Sequence, residues 1–344
     1  MRIHSLSARI EEIPLRAPFV TARDALARQS ARTVVISLVL DDGTQHPGDA
    51  VPVAYVTGET PESALRDVQA AAPVLSGLDV RRIRPALDRL DALLPASPTA
   101  RAGIESAIWR AHAAVLGADL WTLWGGARES VETDITLSIV DDAPERAREG
   151  AARGFQAFKV KVGGDPEADL ARLCAIHAAV PGGRFRVDAN QAFTPQEAVR
   201  FVNEALASGV PLELLEQPVS KSDMAGLDYA AQRCPVPVFA DEAVLSPSDA
   251  LRLVRETAVQ GINVKVMKSG ARGALEIAAI ARAAGRLLML GCMLESRRSI
   301  GLSVALACGT GAFDFIDLDS HLLLTEPGPN EWLISHGPVL APLR

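Results

Sequence analysis

The chain is short of the residues that mark several large protein classes, and each shortage narrows what it can be. Cys174, Cys234, Cys292 and Cys308 are the four cysteines in 344 residues, widely spaced and never in a C-x-x-C pair. That gives no support to a disulfide scaffold or a cysteine zinc site, and suits reduced, small core residues in a cytoplasmic protein. No basic block is present and the formal net charge is −7, so neither nucleic acid nor an anionic membrane surface is an expected partner. No apolar run is long enough to span a bilayer. The opening Met1-Arg2-Ile3-His4-Ser5-Leu6 leads into a charged, alternating segment rather than an apolar leader. Aromatics make up only 4% of the chain. What remains is 48% hydrophobic and rich in alanine, enough for packed helices around one large core and a smaller one.

The first third mixes strands and helices. Arg2 to Pro14 alternates, and Thr33 to Leu40 is a strand ending in the turn Asp41-Asp42-Gly43. The polar stretch Pro18 to Asp24 and the stretch Tyr55 to Thr60 are loops. From Pro61 the spacing turns helical, with further helices over Val80 to Leu94 and Ala100 to Leu116, the last stopped by Gly117. Near Val131 the pattern changes. Strands over 133–140, 155–162, 184–188, 212–216, 236–241, 261–265, 287–291 and 313–317 alternate with helices, at a repeat of about 25 residues. The class is α/β, a (β/α)₈-type barrel (a modified TIM barrel) behind an N-terminal α+β domain. The expected divisions are 1–125, 126–321, and a proline-rich tail, 322–344, that returns to the first domain.

The barrel is organised around Phe158-Lys159-Val160-Lys161-Val162-Gly163-Gly164, a strand that carries both lysines on one face. On an edge strand such lysines would only guard against aggregation. Other strand ends, however, also close on polar and charged residues: Asp188 and Asn190, Glu216, Asp241 and Glu242, Lys265, Glu295 and Ser296, Asp317 and Asp319. One Asp after a strand is usually a cap or turn residue. Many charges converging on one mouth are costly for a purely structural barrel. Asp188, Glu216 and Asp241 come from three neighbouring strands and offer hard oxygen ligands with no Cys or His, which suits Mg²⁺. Lys161 and Lys265 flank the trio. A lysine beside a dication and a second cation has its ammonium form disfavoured and can serve as a base. Two lysines on opposite faces of a bound carboxylate can take a proton from one side and return one on the other, while the metal stabilises the enediolate.

Lys159-Val160-Lys161, Val187-Asp188-Ala189-Asn190, Glu216-Gln217-Pro218, Ala240-Asp241-Glu242 and Asn263-Val264-Lys265 together resemble the enolase superfamily, in its muconate-lactonising subgroup, over nearly the whole chain. The resemblance implies one Mg²⁺ per subunit on Asp188, Glu216 and Asp241, with Lys161 and Lys265 as acid and base. It makes Lys159 a supporting charge, lets Asn190 shape the site, turns the first third into a capping domain, and allows a homo-oligomer. Asp317-Leu318-Asp319 resembles the Asp-x-Asp feature of dipeptide epimerases, which holds the substrate's α-ammonium, and Tyr55 to Thr60 resembles their capping-domain loop. Thr136, Glu295, Ser296 and Arg297 are further candidate substrate contacts. Arg23, Arg297 and Arg298 could pair with an acidic side chain, as in L-Ala-L-Glu from cell-wall peptides, or with the barrel's own carboxylates. Lys268 takes no role. Asp49, in Gly48-Asp49-Ala50, departs from the Glu common in relatives. N-succinylamino acid racemase, o-succinylbenzoate synthase and muconate cycloisomerase share the trio and the lysines but need no ammonium site. A non-catalytic barrel would have lost a ligand or a base, and none is missing.

Overall fold

The computed structural model describes residues 1–23, 26–326 and 330–343. Asp24, the end of the expected polar loop, lies outside them. The N-terminal unit opens with an antiparallel sheet of β1 (Ile3–Phe19), β2 (Arg28–Leu40) and β3 (Gln45–Ala50). Val34, Ile36, Leu38 and Leu40 alternate along β2 and are buried. They pack against the apolar faces of α2 (Pro61–Leu75), α3 (Ile83–Leu93) and α4 (Pro98–Val115), the usual way one-sided elements hide their apolar surface. Two expectations shift here. Tyr55 to Thr60 is not wholly loop, since α1 (Ala54–Thr57) forms one helical turn closed by Gly58 at φ 82°. The helix expected from Val80 begins only at Ile83, because Arg82 N donates to Asp79 O and makes a turn first.

After α5 (Leu120–Leu123) and β4 (Val131–Glu132) comes the barrel. Its order is β5 (Ile135–Leu137), α6 (Ala143–Ala152), β6 (Ala157–Lys161), α7 (Pro166–Ala179), β7 (Arg184–Asp188), α8 (Pro195–Ala207), β8 (Leu212–Glu216), α9 (Met224–Arg233). It continues with β9 (Val238–Ala240), α10 (Pro247–Glu256), β10 (Gly261–Lys265), α11 (Val266–Ala283), β11 (Leu287–Gly291), α12 (Arg297–Thr310), β12 (Phe315–Asp317) and α13 (Ser320–Leu323). The eight parallel strands β5 to β12 lie in sequence order. The ring nearly closes where Asp134 N donates to Ile316 O at 3.3 Å and Leu318 N to Thr133 Oγ1 at 2.8 Å. Asp165, Thr194 and Ser246 cap helices whose first turn holds Pro166, Pro195 and Pro247. These caps turn the chain back just beyond the strand ends and leave the ends open to carry side chains.

The tail is a hairpin of β13 (Leu333–His336) and β14 (Val339–Pro342), with β14 pairing to β4. It meets the first sheet where Thr325 N donates to Pro14 O at 2.8 Å. Among the described residues no helix is long and apolar enough to cross a membrane.

Candidate active site

Strand register sets the site's level. Lys161 on β6 pairs with Asp188 on β7, which pairs with Glu216 on β8. All three, and Asp241 just past β9, are buried. Each carboxylate is held by one oxygen and offers the other. Asp188 Oδ1 accepts from Asn190 N at 3.0 Å, Glu216 Oε1 from Asn263 Nδ2 at 2.8 Å, and Asp241 Oδ1 from Lys268 Nζ at 2.7 Å. Among the described residues, the offered oxygens face ammonium groups. Lys161 Nζ is 2.5 Å and Lys159 Nζ 3.1 Å from Asp188 Oδ2; Lys159 Nζ is 2.8 Å from Glu216 Oε2; Lys265 Nζ is 2.7 Å from Asp241 Oδ2. Among the described residues, buried Glu216 Oε2 has this ion pair with Lys159 but no aligned hydrogen bond. Three hard oxygens from adjacent strands, clamped from behind and turned toward positive charge, fit a dication.

The charges around the trio are strongly coupled. Burial alone would raise Asp188 and Asp241, but Lys161 and Lys159 pull the first below the usual carboxylate range, and Lys265 and Lys268 the second. Burial, reinforced by Asp188, pushes Glu216 up to about 8. Lys161 and Lys265 depart from the expected lowering. Burial does disfavour their ammonium forms, yet Asp188 and Asp241 outweigh it and raise both. The expected lowering depends on a cation taking those carboxylate oxygens, and the chain's own charges do not supply it. Lys268, given no role from sequence, donates to Asp241 O, Asp241 Oδ1 and Asn263 O, so it braces the third carboxylate.

A cavity of about 60 Å³ opens above these groups and is lined by Lys159, Lys161, Asn190, Asp241 and Lys265. Thr136, Asp317 and Asp319 line it as well, Asp317 beside Lys159. Asp319 Oδ2 accepts from Thr136 N at 2.6 Å, and Asp317 Oδ2 from Lys159 Nζ at 2.6 Å. Burial and the Asp317 charge push Asp319 up to about 6. Tyr55 and Val56, from the stretch that resembles the epimerases' capping-domain loop, also line the cavity, and Phe19, Val53, Leu294, Leu323 and the Arg28 guanidinium add wall that was not read from sequence as site. Cys292 also lines the cavity rather than serving as core filler, its thiol pushed up by burial and by Asp317 and Asp319.

Several expected contacts lie elsewhere. Arg297 N donates to Glu326 Oε1 at 2.8 Å, and the Arg297 side chain faces the same carboxylate, outside the cavity. Arg298 holds Asp49 at 2.6 Å, and Ser296 Oγ donates to Asp49 as well. These residues open α12, whose first turn faces β3 and the tail rather than the barrel mouth. Asp49 thus ties the N-terminal sheet to α12. Glu295 is buried beneath them, accepting from Met293 N and Ser299 Oγ, and burial pushes it up to about 7. Arg23 Nε donates to Asn190 O at 3.0 Å instead of reaching into the cavity.

Asn190, Gln191 and Gln217 adopt positive φ (43°, 69° and 34°) just past β7 and β8. Such conformations cost energy and persist where the surroundings fix them. Here Gln217 Oε1 accepts from Asp241 N and Ala243 N, linking the ends of β8 and β9. Sequence gave no sign of this role beyond the polar residue after Glu216. Lys221, beyond β8, donates to Tyr55 O and Val56 O and fixes the α1 turn over the cavity.

Comparison with known proteins adds the lineage. Residues 5–125 match the mandelate racemase/muconate lactonizing enzyme N-terminal domain, and residues 142–343 the enolase C-terminal domain-like family. The L-Ala-D/L-Glu epimerase of Thermotoga maritima is 37% identical over 310 residues, covering 90% of each chain. The aromatic dipeptide epimerase of Herpetosiphon aurantiacus is 37% identical over 327 residues, 94% of this chain and 91% of its own. The crystal structure of the Enterococcus faecalis dipeptide epimerase with Mg and L-Leu-L-Tyr superposes with a TM-score of 0.94 at 32% identity, over 99% of this chain and 97% of that one.

Proposed function

The chain belongs to the mandelate racemase/muconate lactonizing enzyme family of the enolase superfamily and is an epimerase, and on that premise we propose that it is a Mg²⁺-dependent dipeptide epimerase that inverts the α-carbon of the C-terminal residue. The observation that carries this reading is a single cavity lined both by Lys161 and Lys265 and by Asp317 and Asp319. A substrate with an ammonium at one end and an acidic C–H at the other needs both sets at once.

Asp188, Glu216 and Asp241 would hold one Mg²⁺ per subunit through their offered oxygens. When bound, the ion supplies positive charge to the substrate carboxylate as its α-proton leaves, and so lowers the cost of the enediolate. Asp319, with Asp317 beside it, takes the α-ammonium and orients the peptide. Lys161 and Lys265 then work in opposition. One, neutral, takes the α-proton to its Nζ. The other, as ammonium, delivers a proton to the opposite face. Lys159 stays charged, raised far above its ordinary value by Asp317, Glu216 and Asp188 despite burial. It acts as fixed positive charge rather than a base.

L-Ala-L-Glu, or a related dipeptide, is the first substrate to test, with Arg28 as the arginine that lines the cavity. A hydrophobic C-terminal residue is a second reading, favoured by Phe19, Val53, Val56 and Leu294 on the same wall. The test is incubation with Mg²⁺ in D₂O and a dipeptide panel, following the C-terminal α-proton by NMR. Mg²⁺-dependent exchange with formation of the other diastereomer is the expected result. Turnover of an N-succinylamino acid or a cyclohexadiene precursor, with no exchange in any dipeptide, would contradict it.

A further inference from the structure

Behind Lys265 the chain takes an unusual path. α11 runs across Gly270, whose φ of 72° and ψ of 171° are not helical. The helix therefore starts afresh at Ala271, with N–H groups that no preceding turn can satisfy. Such a start normally takes its cap from the side chain of the residue before it, and Gly270 has none. The cap comes from another element. Glu105, buried on α4, accepts from Arg272 N at 2.7 Å and from Trp109 Nε1 at 3.0 Å. A Cβ built on Gly270 would stand 2.7 Å from Glu105 Cδ, so the glycine makes room for this carboxylate. The Arg272 side chain is tied outward too, to Asp88 at 2.5 Å and to Asp91, both on α3. Between this grip and the barrel runs the buried stretch from Lys265 to Gly270. Lys268 anchors its barrel side on Asp241 and Asn263.

We propose that Glu105 is a positioning residue for Lys265: by capping the second part of α11 from outside the barrel, it fixes the turn that presents the Lys265 ammonium to the substrate's α-carbon. This rests on the two-lysine reading above. The effect is one-sided. Lys161 stands on β6, where Arg172 donates to its carbonyl and Asp188 accepts from its ammonium, so a shift of α11 leaves it in place.

The test uses the full-length enzyme with Mg²⁺ in D₂O. L-Ala-L-Glu and L-Ala-D-Glu are supplied separately, or L-Leu-L-Tyr and L-Leu-D-Tyr if that pair exchanges faster. Initial loss of the α-proton is read by NMR. Lys265→Ala identifies the epimer that Lys265 serves. Glu105→Ala is expected to slow exchange from that epimer on the order of tenfold to a hundredfold, and from the other by less than about threefold. Glu105→Leu, which fills the site without an acceptor, shows the same bias, and Glu105→Gln, which keeps an acceptor oxygen, restores most of the rate. If Glu105→Ala does not fold, Glu105→Leu carries the comparison. Equal losses from both epimers in folded protein, or a bias toward the epimer served by Lys161, overturn the inference alone. A wild-type enzyme that exchanges no dipeptide overturns the dipeptide reading and this inference with it.

Discussion

Lys159 Nζ lies 2.6 Å from Asp317 Oδ2, so half of the Asp-x-Asp pair is already neutralised by the chain's own ammonium. Asp319 accepts from the backbone N–H of Thr136 and is hydrogen-bonded by the Thr136 side chain, both neutral partners, which leaves it as the carboxylate with charge to spare. The two acids should therefore fail differently. Asp319→Asn should raise KM for dipeptides by about tenfold or more, the worth of a charged hydrogen bond of about 1.5–3 kcal/mol, with a smaller change in kcat. Asp317→Asn should act mainly on kcat, because it releases Lys159 from one of its partners. Steady-state kinetics of both variants on one dipeptide separates them.

The acid limb of activity follows from the same carboxyl. Burial and Asp317 push Asp319 up to about 6, and only its ionised form binds an ammonium. As pH falls through about 6 the folded enzyme protonates Asp319, so kcat/KM for a dipeptide should drop there. In Asp319→Asn that limb should be absent from the pH profile.

Metal binding should appear as stability. The offered oxygens of Asp188, Glu216 and Asp241 are buried and converge only in the folded chain. At a hundredfold excess over its Kd, Mg²⁺ should add about 2.7 kcal/mol. A thermal melt with and without Mg²⁺ measures this. Chelation should abolish α-proton exchange, and Glu216→Gln should lose most of the Mg²⁺-dependent rise in Tm.

Glu105 makes a stability prediction of opposite sign to the usual carboxylate. Burial pushes it up to about 7 from an ordinary 4.5, so the folded chain keeps a proton that the unfolded chain has released. The resulting stabilisation is full below about 4.5 and is lost as pH rises through about 7. Melts across that range should show wild type losing up to about 3 kcal/mol relative to Glu105→Gln.

The barrel, and the meeting of Asp188, Glu216 and Asp241 at one mouth, were legible because a regular strand–helix repeat sends the strand ends to the same side; that the three hold a metal remains the proposal above. Lys268 was not, because its role depends on the turn after β10 folding its side chain back onto Asp241. Arg297 and Arg298 occupy a strand end in sequence, yet helix phase turns them toward Glu326 and Asp49. Glu105 left no signal beyond a carboxylate on an otherwise apolar helix face, between Ile104 and Ser106. Its partner, the N–H of Arg272, is 167 positions away and exists only after the two units pack. Contacts between units, set by packing rather than periodicity, are the part that spacing cannot reveal.

The central claim is that Lys161 and Lys265 serve opposite faces of one α-carbon. It is tested most directly by Lys161→Ala and Lys265→Ala, each incubated with Mg²⁺ in D₂O and each epimer in turn, with α-proton loss followed by NMR. The expected result is that each variant stops exchanging one epimer, that the two lose opposite epimers, and that neither inverts its substrate. Loss of the same epimer in both variants, or inversion surviving in either, would contradict it.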